Sequence, residues 1–106
     1  MSEAAARTFA ALGDPMRLAL VRRLSRVPSL NVTALTAGTG VSRQAVSKHL
    51  RVLEGAGLVS REAAGRETLY RLRTEPLDAA GGFIERLSRG WDDAVERLRA
   101  HVEEGA

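Results

Sequence analysis

At 106 residues, 44% hydrophobic and 27% charged, the chain has the makeup of one globular domain with a modest core that gains from a partner chain. The absence of cysteine excludes disulfides, thiolate metal ligands and a cysteine nucleophile together. No apolar run nears the roughly 20 residues that cross a bilayer. The opening Met-Ser-Glu-Ala-Ala-Ala-Arg lacks the layout of a secretory signal, so the cytoplasm is the expected place of work.

The net charge of +3 is unevenly spread. Residues 42–73 hold seven Lys/Arg against three Glu, a net of +4, whereas residues 74–106 hold four Arg against eight Asp/Glu, a net of −4. Such separation fits a basic surface for a polyanion and a different task for the tail.

In chain order, Glu3–Leu12 is Ala-rich and reads as a short helix, closed by Gly13. Asp14-Pro15 restarts the chain with a favoured cap and first position, giving a second helix over Pro15–Arg26 with Leu20, Val21 and Leu24 on one side. Pro28 and Ser29 end it. Leu30-Asn31-Val32 is expected to be extended, and Thr33 to cap a brief helix over Thr33–Thr39 anchored by Leu35. Gly40-Val41-Ser42 is a tight connection, with Val41 expected to plug the angle between the helices on either side.

The next helix is capped by Ser42 and stopped by Gly55 and Gly57. Val46, Leu50 and Leu53 form its apolar stripe. Arg43, Gln44, Ser47, Lys48 and Arg51 occupy the other side, with no carboxylate before Glu54. Arginine or lysine can donate to guanine, glutamine can pair with adenine, and short serines allow close approach, so this face suits a DNA major groove. An ordinary solvated face is the alternative. Two helices joined by a short glycine turn, over residues 33–55, form a helix-turn-helix pattern.

After Gly57 the period changes. Leu58–Glu62 and Glu67–Leu72 read as strands, with Ala63-Ala64-Gly65-Arg66 as the hairpin tip. A hairpin over residues 58–73 directly after such a helix is a wing, whose Arg61, Arg66 and Arg71 can reach phosphates or the minor groove. The alternative is an exposed hairpin with charged edges.

From Glu75-Pro76 a long helix runs to about Glu104, with Leu77, Phe83, Ile84, Leu87, Trp91, Ala94, Val95, Leu98 and Val102 at three- and four-residue steps. Roughly 28 helical residues make a rod of about 40 Å. A chain this small cannot cover such a stripe, but a second copy can, because the stripe is self-complementary. Phe9, Phe83, Ile84, Leu87, Trp91, Val95 and Leu98 are the expected dimer contacts, from segments 1–14 and 75–106. The alternative is a helix folded back on its own domain. Gly81, Gly82 and Gly90 are expected to weaken this helix and to permit close approach or a kink.

Catalysis finds little support. The two histidines lie far apart, and no Gly-rich phosphate loop, paired catalytic carboxylates or nucleophile elbow occurs.

The order of elements resembles the ArsR family of bacterial transcription repressors. The residues that carry the resemblance are Phe9–Arg17, Val41–Leu50, Leu53–Val59 and Gly65–Leu72. It covers residues 5–73 closely and the tail more loosely. The resemblance implies a mostly α winged helix-turn-helix with a small β-hairpin and a long C-terminal dimerisation helix. It also implies a homodimer on a near-palindromic operator, often at its own promoter, released by an inducer.

The family's DNA surface maps onto Arg43, Gln44, Ser47 and Lys48, with the capping Ser42 beside them, and its wing onto Arg61 and Arg66. His49 is taken first as a helix-packing residue and second as a DNA contact. The family's thiolate metal site falls where this chain has Asn31-Val32-Thr33-Ala34-Leu35, which offers no soft ligand. His101-x-x-Glu104 resembles half of another family metal site, but no second histidine precedes it on that helix. No metal or cofactor is expected.

The leading expectation is therefore a homodimeric, sequence-specific DNA-binding repressor on double-stranded DNA. The alternative is a sensor for an unknown small-molecule effector. Its pocket would be apolar, lined by Trp91, Phe83 and Phe9 at the dimer interface, with DNA release as output.

Overall fold

The computed structural model describes residues 3–105. Seven elements follow one another: α1 (Glu3–Leu12), α2 (Pro15–Leu24), α3 (Val32–Thr36), α4 (Arg43–Gly55), β1 (Val59–Ala64), β2 (Glu67–Leu72) and α5 (Glu75–Gly105). The fold is mostly helical with a two-stranded antiparallel hairpin, as expected.

Local chemistry sets most of the boundaries. Asp14 caps α2, its Oδ1 accepting the N–H groups of Met16 and Arg17 at 2.9 and 3.1 Å. These bonds favour the charged carboxylate. The Arg17 N–H is the largest influence holding Asp14 below its ordinary pKa of 3.8, with smaller help from Met16 and from the charges of His49 and Arg17. Ser42 Oγ accepts Ala45 N–H at 3.1 Å and starts α4. Gly57, at φ +75°, ends it. The N–H of Gly57 bonds Glu54 O and that of Leu58 bonds Leu53 O, both at 2.9 Å, the paired closure of a Schellman motif.

Several boundaries differ from the sequence reading. The second helix ends at Leu24 rather than Arg26, because the Ser25 hydroxyl takes the Arg22 carbonyl at 2.6 Å and its backbone closes the last turn. The third helix is Val32–Thr36, not Thr33–Thr39, and Asn31 rather than Thr33 caps it, through Oδ1 to Ala34 N–H at 2.8 Å. Only Leu30 of the expected extended piece pairs, forming a bridge to Tyr70 with backbone bonds of 3.0 and 2.8 Å. Val41 does not plug the interhelical angle, since it is 39% exposed. Leu35 and Val46, both fully buried in the shared core, are the residues of the two helices that point inward. Gly55 is the last residue of α4, so Gly57 alone supplies the left-handed stop.

The hairpin is longer than expected. β1 continues to Ala64, which pairs with Glu67, and only Gly65-Arg66 form the tip. Gly65 has φ +64°, the conformation that the first linking position of a II′ hairpin turn demands. α5 continues through Gly81, Gly82 and Gly90 as one helix.

The core sits where α2, α3, α4 and the hairpin meet. Leu20, Leu35, Val46, Leu50, Leu53 and Leu58 are fully buried there, joined by Ala11, Val21, Leu24, Val59 and Tyr70. α1 reaches this cluster through Ala11 and also packs against α5, where Phe9 and Phe83 meet with ring centroids 6.0 Å apart. Beyond that contact α5 leaves the body, and the molecule measures 71 × 25 × 23 Å.

Candidate nucleic-acid interface

α4 is held from behind and free in front. Val46, Leu50 and Leu53 fix its inner stripe in the core. The opposite side presents Arg43, Gln44, Ser47, Lys48 and Arg51, which line one shallow, open concavity without a carboxylate. Arg43, Gln44, Lys48 and Arg51 are exposed and Ser47 half-buried. This surface carries hydrogen-bond donors, one amide able to bond bidentately, and positive charge, which are the groups that read base edges and hold phosphates.

Each expected residue can be placed. Ser42 is exposed, but its oxygen is engaged as the helix cap. Arg43 donates from an Nη to Thr33 Oγ1 at 3.2 Å, tying the start of α4 to α3 across the turn. Gln44, Ser47 and Lys48 make no side-chain hydrogen bond or ion pair among the described residues. Arg51, read from the sequence as part of this outward face though not among the residues mapped from the family, lines the same concavity.

On the hairpin the two arginines part company. Arg66 stands exposed at the tip, free of any ion pair among the described residues. Arg61 lies nearer the base, opposite Tyr70, and its Nε is 3.2 Å from Glu54 Oε2 at the end of α4. The neighbouring acid at the tip is drawn elsewhere, because Glu67 Oε1 accepts from Asn31 Nδ2 at 2.8 Å. This bond and the Leu30–Tyr70 bridge hold the wing against the start of α3.

The short α3 needs outside help, and Arg23 of α2 supplies it. One Nη of Arg23 reaches the carbonyls of Leu35 at 2.9 Å and Ala37 at 2.6 Å, at the open end of α3. Those carbonyls have no partner within the helix, and a cation there is favourable. His49 is half-buried, and its ring meets Arg17 and Asp14 at the α1–α2 corner, so it packs α4 against its neighbours through polar contacts.

The expected dimer contacts divide by exposure. Phe9 and Phe83 pack on each other within the chain and are half-buried, as is Val95. Ile84, Leu87, Trp91 and Leu98 are 52–71% exposed, with Val102 beside them at 61%. Within the single chain, Trp91 is not brought together with Phe9 and Phe83. A separate cleft between α1 and α5 is lined by Ala4, Ala5, Arg7, Thr8, Ala56, Pro76, Ala79, Phe83 and Arg86. Among the described residues no three His, Asp or Glu side chains come together as metal ligands would. No helix among them is long and apolar enough to cross a membrane.

A helix-turn-helix whose second helix presents a basic face, followed by a hairpin wing, defines a winged-helix DNA-binding protein. Residues 12–62 match a family described as a helix-turn-helix domain. The chain is 36% identical over 93 residues to the HTH-type transcriptional repressor SmtB of Mycobacterium tuberculosis, covering 88% of this chain and 67% of that protein. It is 39% identical over 99 residues to the HTH-type transcriptional regulator NmtR of the same organism, covering 87% and 82% respectively. The solved structure of an ArsR-like transcriptional regulator from Rhodococcus sp. RHA1 superposes with a TM-score of 0.79 at 34% identity, over 90% of this chain and 89% of that one. The chain belongs to the ArsR family of winged helix-turn-helix transcription regulators.

Proposed function

We propose that the protein acts as a homodimer that represses transcription in the cytoplasm by occupying a near-palindromic operator, and that it works by binding rather than by catalysis. The observation that carries this reading is the free outer surface of α4, cationic and amide-bearing on a helix whose other side is locked in the core. Gln44 reads bases, with Arg43, Ser47 and Lys48 around it, while Ser42 fixes the helix start. Arg66 takes phosphate or minor groove from the wing. Arg61 contributes at the wing's base, where its pairing with Glu54 restricts its reach.

The second copy is argued from α5. Ile84, Leu87, Trp91, Leu98 and Val102 expose more than half of their surface on one helix. Burying such side chains is worth roughly 1.5–3 kcal/mol each when fully removed from water. Five from each protomer, already partly covered, give roughly 10–18 kcal/mol gross, against roughly 4–15 kcal/mol for lost freedom. The balance favours association only when the stripe is engaged along its length. Two recognition helices then span successive major grooves, about 34–36 Å apart.

Selection of fragmented genomic DNA by the purified protein at about physiological salt tests this reading. Enrichment of one inverted repeat, by a protein that light scattering shows to be a dimer, supports it. Binding that follows ionic strength alone, without enrichment, defeats it.

A second reading, the effector sensor, draws on the cleft between α1 and α5. Its lining includes Ala56, which caps α4, so a bound molecule there has a direct route to the recognition helix. NMR shifts of Phe83 and Ala56 together with loss of operator binding on adding a metabolite support this reading; silence across a broad panel counts against it.

A further inference from the structure

Arg17 sits where three helices meet. Its Nε donates to Ala11 O at 2.7 Å and one Nη to Ala10 O at 3.4 Å, both at the open carbonyl end of α1. Its other Nη lies 3.4 Å from Nδ1 of His49, in the middle of α4. The same ring nitrogen is 4.0 Å from Oδ1 of Asp14, the oxygen that caps α2. Among the described residues no other side-chain hydrogen bond joins α2 to α4.

A guanidinium can only donate. The Arg17–His49 contact is therefore a hydrogen bond only while Nδ1 carries no proton. A proton on Nδ1, in the Nδ1–H tautomer or in the imidazolium, sets donor against donor; in the imidazolium it also sets cation against cation, and the available acceptor is then Asp14. One proton thus selects between two arrangements of the same three side chains.

We propose that Arg17 and His49 are positioning residues for DNA binding: the neutral imidazole fixes α4 against the α1–α2 corner in the orientation that fits the groove. The proposal rests on α4 being the DNA-reading helix. It also gives α1 a role, because α1 packs on α5 and its last carbonyls hold Arg17. The face assigned to the second copy and the helix assigned to DNA are then joined through one guanidinium.

The charges around the ring are few. Asp14 and Arg17 face it from the α1–α2 corner, and its own helix adds Lys48 and Arg51 at nearby positions. α3 and β1 also pack on α4, but they engage its ends, through Thr33 with Arg43 and Arg61 with Glu54. The chain has two histidines, and the second, His101, is exposed far along α5. The pH dependence of DNA binding between 5.5 and 8 can therefore be assigned with two substitutions, one at each histidine.

The experiment measures affinity for the genomically selected operator across that range at fixed salt, together with nitrogen NMR of the imidazoles. The native protein is expected to lose about threefold to tenfold in affinity from pH 8 to 5.5, the scale of one hydrogen bond. His101→Asn keeps that loss. His49→Gln, whose amide oxygen accepts from Arg17 without titrating, keeps most of the affinity at pH 8 and flattens the profile. Arg17→Met weakens binding at pH 8 and also flattens it. The neutral His49 ring should carry its proton on Nε2.

A profile unchanged in His49→Gln, or a neutral ring protonated on Nδ1, overturns the proposal. If the native protein selects no DNA at any pH, the DNA-binding reading of α4 falls first and the proposal with it. The nitrogen spectrum then still reports whether Arg17 and His49 are bonded.

Discussion

Two helices of this molecule carry the same kind of apolar stripe and meet opposite fates. On α4 the stripe of Val46, Leu50 and Leu53 is fully buried. On α5 the stripe of Ile84, Leu87, Trp91, Leu98 and Val102, at similar three- and four-residue spacing, is 52–71% exposed. α2, α3 and β1 pack on α4, whereas the packing on α5 comes mainly from α1, near its start. Periodicity therefore says which face of a helix seeks cover, and only the surrounding elements say whether the chain itself supplies it. Where it does not, a partner copy becomes the economical explanation.

That contrast can be broken experimentally, beginning with the largest effect. Leu50→Ala removes a fully buried side chain and should cost about 2–5 kcal/mol of stability in urea unfolding. The same change at Leu98, measured on the dissociated chain, should cost under about 0.5 kcal/mol, as surface substitutions usually do. Comparable losses at both sites would mean that α5 is packed within its own chain.

A double change, Leu87→Asp with Trp91→Asp, should leave the body folded by circular dichroism yet shift the protein to monomer in light scattering. Operator affinity should then fall at least about tenfold, since a single half-site remains. Next in size is Gln44→Ala, expected to cost about 1–3 kcal/mol of discrimination at one base position, whereas Arg66→Ala weakens all sequences alike and lowers the salt slope by about one. Equal, sequence-independent effects from both would remove the distinction between the reading helix and the wing. Ser42→Ala should cost about 1 kcal/mol, read by thermal unfolding, through loss of the α4 cap.

The smallest effect is acid-dependent. Because Asp14 is held below its ordinary value of 3.8, its contribution is fully present above that value and is lost as the pH falls through the lowered one. The stability gap between native protein and Asp14→Ala should therefore be present near neutrality and shrink once the pH falls below about 3.8. A gap that persists unchanged in acid would show that the carboxylate charge is not what caps α2.

Much of the frame was legible residue by residue. Asp14-Pro15, Ser42 and Gly57 act through bonds to their own near neighbours, so their effect is written in local order. The stripe of α4 and the alternation of the hairpin are equally local. The third helix was the weak point, because Asn31 and Thr33 are both competent caps two residues apart. Asn31 prevails in a setting where the Leu30–Tyr70 bridge and the bond to Glu67 already hold the chain extended before it. Val41 stays 39% exposed, while Leu35 and Val46 of the flanking helices are the side chains buried in the core.

The sequence by itself determined the winged helix-turn-helix order, the caps that start α2 and α4, and the basic, carboxylate-free outer face of α4. These follow from short-range hydrogen bonding and from helical and strand periods. Tertiary structure alone decided which partners the long cationic side chains take: Arg23 on the end of α3, Arg61 on Glu54, and Arg17 between α1 and His49. A guanidinium on a flexible stem can meet groups more than ten positions away. Its partner is set by how the helices pack, not by what stands beside it in the chain.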